Sequence, residues 1–432
     1  MQNDIYTRRG DTMELGFHRG QWQAWESLRR YVFVLAGTQG GKTSFGPWWL
    51  EREIYGDESR SGMGPGDYLA VTESFDLFKL KMLPETRNVF ETLTGMGRYW
   101  AGDKIIELRD PDTGKFWANS SSDKMWGRII LRSASAEGGL ESSTAKAAWL
   151  DECGQDGFRL SAWEAVQRRL SLYQGRVLGT TTLYNLGWLK QEIYEPWRAG
   201  DPDIDVIQFA SVMNPSFPQA EFERAKRTLP EWKFRMFYLG EFTRPAGLIY
   251  GDFTEQHKVK DFAIPAEWPR YVGVDFGAVN TAKVWIAHDV EKAAYYVYRV
   301  THDGDKTTRQ HALDTLQQSR GERIVTAWGG APSEKQFRAD WSDAGFHIEE
   351  PPISDVEGGI DRVISLFKTH QLYVMESCRP LLDELGTYSR EVDERGNPTE
   401  KIKNKSDFHC LDALRYGVAG LIEQSGDWAF IV

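Results

Sequence analysis

The chain has 432 residues, a formal net charge of −11, 17 tryptophans and three cysteines. That length exceeds what one hydrophobic core normally serves, so two domains are expected. The acidic balance argues against a protein that coats nucleic acid, while leaving room for a motor or nuclease that grips a phosphate backbone through a local basic groove. Cys153, Cys378 and Cys410 are scattered and form no C-x-x-C pair, which suits a reducing cytoplasm and offers no zinc site. No signal-peptide pattern and no apolar run of bilayer length stands in the sequence, so no membrane partner is expected.

The first informative stretch is VFVLAGTQGGKTSFG, residues 32–46. Val32, Phe33, Val34 and Leu35 read as a buried strand, and Gly37, Thr38, Gln39, Gly40 and Gly41 form a loop. Lys42 and Thr43 then open a helix. Such a loop turns backbone N–H groups toward phosphate, with Lys42 reaching the β/γ-phosphates of ATP and the Thr43 hydroxyl holding Mg²⁺. Ala36 stands where the strict pattern has glycine. Gln21, in HRGQWQAWESL, is a candidate adenine reader; taken alone it reads as a surface glutamine.

Next, AKAAWLDECGQD (145–156) reads as a short strand, Ala147 to Leu150, ending in two carboxylates. If this strand neighbours the first, Asp151 would hold Mg²⁺ and Glu152 would polarise the attacking water. SAWEAVQRRLSLYQ (161–174) has helical spacing at Trp163, Val166 and Leu170 and carries Arg168 and Arg169, which could neutralise transition-state charge, in this subunit or a neighbour. GRVLGTTTLYN (175–185) is another strand, whose Thr180, Thr181 and Thr182 could sense the γ-phosphate; ordinary β-branched strand residues are the other reading. The proline- and glycine-bearing stretch 244–268 reads as a linker between domains 1–243 and 269–432.

Beyond it, YVGVDFGAVNTAKVWIAHD (271–289) reads as a β-hairpin with Asp275 inside an apolar strand, where a carboxylate is costly unless paired or bound to metal. Strands at 293–300 and 322–330 and helices at 311–318 and 333–345 follow, the last with Ser333 and Gln336 in capping-box spacing. The final helix, within 406–423, carries an apolar stripe of Leu411, Leu414, Val418 and Leu421, with His409, Asp412 and Tyr416 on another face. A hairpin-first α/β domain with one strand aspartate and one on the terminal helix suggests an RNase H-like metal nuclease.

In order, HRGQ, AGTQGGKT, AAWLDE, GRVLGTTT, NPSF, FYLGEF, GLIYGDF, YVGVDFG, EGGIDRV, LLDELGTY and HCLDALRY resemble a large terminase subunit of a tailed bacteriophage, the ATP-driven DNA-packaging motor. The resemblance implies a P-loop ATPase of the additional-strand, catalytic-glutamate type, followed by an RNase H-like endonuclease. It gives the catalytic roles to Lys42, Glu152, Asp275 and Asp412. Metal would be held by Thr43 with Asp151, and by Asp275 with Asp412; Mg²⁺ is implied, with Mn²⁺ supporting the nuclease. Implied partners are double-stranded viral DNA, a portal ring, a small terminase subunit and further copies of the chain at the procapsid. The setting would be the host cytoplasm and not the mature virion.

Two departures stand out. Many members of the family carry an arginine in the loop where Thr38 and Gln39 stand. The second nuclease aspartate is expected where Gly329 and Gly330 lie; Glu334 could substitute, or serve only as a favourable charge at a helix start. Asp407 is a further reserve, read first as an N-cap. The alternatives are a translocase whose nuclease fold is only a DNA clamp, a helicase or repair ATPase fused to a nuclease, and an adaptor with a vestigial P-loop.

Overall fold

Strand β1 (Tyr31–Ala36) and helix α1 (Lys42–Tyr55) form where the sequence places them, on either side of the glycine loop. The computed structural model describes residues 5–9, 12–117, 125–135, 144–245, 247–277, 280–353, 355–393 and 397–425. It divides into two compact units, Met1–Pro245 and Ala246–Val432.

In the first unit, β2 (Gly66–Thr72), β3 (Gly97–Trp100), β4 (Ile105–Leu108), β5 (Gly127–Ser133) and β6 (Ala147–Asp151) follow. Helix α2 (Leu160–Leu170), β7 (Arg176–Thr181) and β8 (Ile204–Phe209) complete an eight-stranded sheet in the order β8-β1-β7-β6-β2-β5-β4-β3. The six strands from β8 to β5 are parallel, and β4 and β3 add an antiparallel edge. Both faces of β1 are apolar because both are covered. Val32 and Val34 join a core with Phe45 and Trp49 of α1, while Phe33 and Leu35 join another with Trp163 and Val166 of α2.

The cradle strand and the Asp151 strand are not neighbours. Strand β7 lies between them, paired parallel to both. The additional strand is thus the threonine-tipped β7, and Glu152 sits just past the end of β6 rather than on an extra strand of its own.

The second unit begins with β9 (Lys258–Val259), β10 (Arg270–Asp275), β11 (Asn280–Asp289) and β12 (Ala294–Gly304). There follow α3 (Thr308–Gln318), β13 (Ile324–Gly329), α4 (Lys335–Asp343), α5 (Val356–Lys368), β14 (Leu372–Met375), α6 (Arg379–Thr387) and α7 (His409–Ser425). The sheet order is β9-β14-β12-β11-β10-β13. Strands β10, β11 and β12 run antiparallel in succession, and β13 returns parallel to β10. The expected hairpin is present; residues 278 and 279 of its turn lie outside the described residues. This is the RNase H-like arrangement of the second unit.

Two local expectations need correcting. Much of 244–268 is not a linker: Ile249 and Tyr250 are buried in the second unit's core, and β9 pairs with β14, because apolar side chains there have a surface to cover. Helix α4 does not use Ser333 and Gln336 as a box. A short 3₁₀ turn, Pro332–Glu334, precedes it; Glu334 accepts the Ala331 amide, and Gln336 donates to Asp340.

Helix α7 buries Leu411, Leu414, Val418 and Leu421 as its stripe predicts. It crosses β10 at Gly273, where a Cβ would lie 2.0 Å from the Ala413 carbonyl oxygen. Asp275, two residues along, shares that face of the strand. Gly273→Ala is therefore expected to lower stability by roughly 1–3 kcal/mol through overpacking. Gly102→Ala, with open space around its Cβ, should leave the melting temperature unchanged. Thermal melts of the two variants check this, and equal melting temperatures would contradict the crossing.

Candidate active sites

The glycine loop is shaped by its surroundings. Gly41 has φ +78, a left-handed conformation that L side chains rarely adopt, and it ends the loop at the start of α1. The amides of Gly37, Thr38 and Gly40 donate to the carbonyls of Phe209, Phe237 and Gly37. In this conformation those three amides are committed to backbone carbonyls. The first amides of α1 have no side-chain cap, since the N-cap is Gly41, and amides at a helix start are suited to meet an anion. Asn214 donates to the Gln39 carbonyl at 2.7 Å and steadies the loop tip.

Gln21 is only 2% exposed, so it is not a surface glutamine. Its amide nitrogen donates to the Gly41 carbonyl at 2.9 Å, and its amide oxygen accepts the His18 backbone N–H. His18 bonds the Gly40 carbonyl through Nε2 at 3.0 Å, and burial lowers its proton affinity. Gln21 thus braces the cradle, with both polar ends engaged.

The other groups meet at the carboxyl edge of the sheet, where open parallel sheets bind ligands. Lys42 is 6% exposed, and its Nζ donates to the Ala36 and Gly37 carbonyls and to Thr182 Oγ1 at 2.8–3.0 Å. Asp151 is 1% exposed. Thr43 Oγ1 donates to its Oδ2 at 2.9 Å, and Thr180 Oγ1 to its Oδ1 at 2.7 Å. Burial, then the Glu152 carboxylate, pushes the Asp151 carboxyl above its ordinary range, and the two threonines oppose the shift. Glu152 has φ +52, a strained conformation for a glutamate and one found at sites where function fixes the backbone. Its Oε2 lies 3.3 Å from the Tyr184 hydroxyl and 3.4 Å from the Thr182 amide. A hydroxyl and a buried carboxylate are hard oxygen donors of the kind Mg²⁺ takes, so Thr43 and Asp151 fit that ion.

Arg168 and Arg169 are displaced from this site. Helix α2 runs back along the sheet, and the Arg169 carbonyl accepts the Ala145 amide at the opposite, amino end of β6. They cannot serve this chain's own cradle.

In the second unit, Asp275 ends β10, and its Oδ2 lies 2.8 Å from His409 Nδ1. That hydrogen bond raises the proton affinity of His409. Asp412, one turn along α7, bonds Arg415. Its carboxyl is pushed up by burial, with Arg415 opposing and Asp275 adding to the shift. Glu334 is likewise raised, by burial first and by Asp275 among the charges.

The gap left by Gly329 and Gly330 has a structural answer. Gly330 has φ +73, and a Cβ on it would strike the Phe276 ring at 2.6 Å, so no aspartate fits there. Glu334 Oε2 lies 2.9 Å from that Cβ position, bringing a carboxylate to the vacant place from four residues downstream. Burial first raises the Tyr416 hydroxyl's pKa, and Asp412, Asp275 and Glu334 all add to the shift, so the three carboxylates face one region. They are all oxygen donors suited to Mg²⁺ or Mn²⁺. Their ligand atoms are not gathered to single-ion distances; among the described residues, the one trio within 4.8 Å is His302, Glu384 and Cys410.

No protein-family model matches the sequence. The terminase large subunit of Escherichia phage T5 is 25% identical over 335 residues, covering 74% of this chain and 72% of the T5 protein. The chain is thus similar in sequence to a phage large terminase subunit. Two solved large terminases resemble it in outline. That of bacteriophage HK97 is 14% identical at a TM-score of 0.47, covering 93% of this chain and 95% of its own. That of a thermophilic bacteriophage is 16% identical at 0.45, covering 94% and 99%.

Sequence alone assigns His409 no role beside the second unit's carboxylates and does not single out Arg415 or Glu384. His409 and Arg415 hold Asp275 and Asp412, and only the i, i+3 spacing of HCLDALR hints at them. Glu384 comes from α6 and caps α7, accepting the Cys410 and Leu411 amides at 3.1 and 2.8 Å. Asp407, read as the cap, lies in the preceding turn, Lys405–Asp407.

Burial moves the Glu384 carboxyl from the ordinary 4.5 to about 8 despite those amides. A carboxyl held more protonated when folded stabilises fully below the unfolded value, and that contribution is lost as pH rises through the folded one. The urea midpoint of the second unit's unfolding should therefore fall between pH 5 and pH 8. Glu384→Gln should flatten that slope; an equal slope in both proteins would refute the placement.

Proposed function

We propose that the chain is the motor subunit of a viral DNA-packaging machine. Its first unit hydrolyses ATP to drive double-stranded DNA into a procapsid, and its second cuts concatemeric DNA with divalent metal ions. The observation that carries this reading is the closure of Thr43 and Thr180 on Asp151, beside Lys42 and Glu152, in a chain whose T5 relative is a terminase large subunit.

In this reading the amides at the start of α1 and Lys42 hold the β- and γ-phosphates. Thr43 and Asp151 would hold Mg²⁺, which would supply charge neutralisation at the phosphates when bound. Glu152 takes the proton of the attacking water. Thr182, bonded to Lys42 and adjoining Glu152, and Thr180, bonded to Asp151, tie β7 to the group that changes on hydrolysis. Asp275, Asp412 and Glu334 would hold the nuclease ions, once His409 and Arg415 give way. The portal ring, a small terminase subunit and sister copies at the portal in the host cytoplasm are the partners that go with this role.

Lys42→Ala should abolish ATP turnover, and Glu152→Gln should lower kcat by roughly 10²–10⁴ while nucleotide still binds. Steady-state phosphate release and a binding titration read both.

A second reading, a translocase whose nuclease fold only clamps DNA, is favoured by His409 and Arg415 holding two of the three carboxylates. Plasmid digestion with Mn²⁺ or Mg²⁺ separates the two. Cleavage that disappears in Asp275→Ala is the expected result, and plasmid left intact by the unmodified chain in both metals would favour the clamp.

A further inference from the structure

The cradle loop carries Thr38 and Gln39 and no arginine, and Arg168 and Arg169 lie at the far edge of the sheet. Transfer of a phosphoryl group nonetheless spreads negative charge over the γ-oxygens, and P-loop enzymes meet it with a second cation beyond the loop lysine. Among the described residues, a second ammonium reaches this site. Lys81, in the helical turn Phe78–Met82, places Nζ 3.9 Å from Oε1 of Glu152. Glu152 Oε2 in turn lies 3.4 Å from the Thr182 amide, and Thr182 Oγ1 accepts Lys42 at 3.0 Å. Lys81 thus pairs with the carboxylate to which Lys42 is linked through Thr182. Burial is the main cause lowering the proton affinity of Lys42; Glu152 and Asp151 oppose it, and Lys81 is the other cation acting on it.

The Lys81–Glu152 pair is a poor structural staple. The lysine side chain is 49% exposed, and a long, half-solvated ion pair contributes little to stability. That exposure also leaves the flexible stem free to move its charge by a few ångströms.

We propose that Lys81 is a second cation of the nucleotide site, supplied by the same chain, which leaves Glu152 for the γ-phosphoryl oxygens as hydrolysis proceeds. The inference rests on the ATPase reading above. The oxygen of water bonds to the γ-phosphorus while the bond from that phosphorus to the β–γ bridging oxygen breaks. The electron pair of that bond leaves with ADP, and the water's proton passes to Glu152. Lys81, half-exposed and 3.9 Å from Glu152, is within a short swing of the γ-oxygens that gain negative charge.

The test uses the full chain with Lys81→Ala, Lys81→Met and Lys81→Arg, measuring ATP turnover and the binding of ADP with and without aluminium fluoride. Alanine and methionine should lower kcat roughly tenfold to a hundredfold. They should leave ADP affinity within about twofold and weaken the ADP–aluminium fluoride complex in parallel with kcat. Arginine should restore most of the turnover. Full kcat in Lys81→Ala, alongside no turnover in Lys42→Ala, overturns the assignment. Equal loss of ADP and of the transition-state analogue, with a lower melting temperature, makes Lys81 structural and overturns it too. Absence of turnover in the unmodified chain is a different result, which removes the ATPase reading itself.

Discussion

Asp151 is gripped by two hydroxyls. One oxygen takes Thr43 from the first turn of α1, the other takes Thr180 from the tip of β7, and the carboxylate is almost wholly out of water. A buried carboxylate is tolerated only when its lone pairs are met, so this contact fixes the distance between the lysine-bearing helix and two neighbouring strands. Lys42 closes the ring through Thr182. The result is a frame in which Glu152, strained at φ +52, sits against its partners.

The second unit solves the opposite problem. Three carboxylates face one region, and like charges brought together in a low-dielectric setting repel. The chain supplies its own counter-charges, with Arg415 on Asp412 and His409 on Asp275, both from the helix that carries Asp412 itself. A divalent cation, if these carboxylates take one as proposed, would compete with these groups, and its affinity would depend on how firmly α7 holds its own histidine and arginine. The crossing at Gly273 makes that geometry possible, since any side chain there would push the helix from the strand.

What is legible in the sequence is what lies within one element or one turn. The strand, glycine loop and helix at 31–55 are contiguous, so periodicity and glycine chemistry expose them directly. The apolar stripe of α7 is read the same way. What depends on neighbours across space is not. Nothing in AAWLDE or LGTTT says that β7 lies between β1 and β6, because parallel strand order is decided by crossover packing. Arg168 and Arg169 look close to Asp151 along the chain, yet α2 carries them to the other edge. Glu334 as the occupant of the Gly330 gap follows from a positive φ and an aromatic ring, neither of which a linear reading supplies. Glu384 caps a helix that begins 25 residues after it, so no capping signature could reveal it. The stretch 244–268 misleads because its prolines resemble a spacer while Ile249 and Tyr250 are core.

The borrowed cap on α7 has a mechanical corollary. Because the first free amides of that helix are anchored by Glu384 on α6, the rotation of its opening turn, and with it the aim of His409 and Asp412, is tethered to an element outside the cleft. A push on α6 from any docked body would act as a rudder on those two side chains, re-aiming them while the sheet beneath stays still.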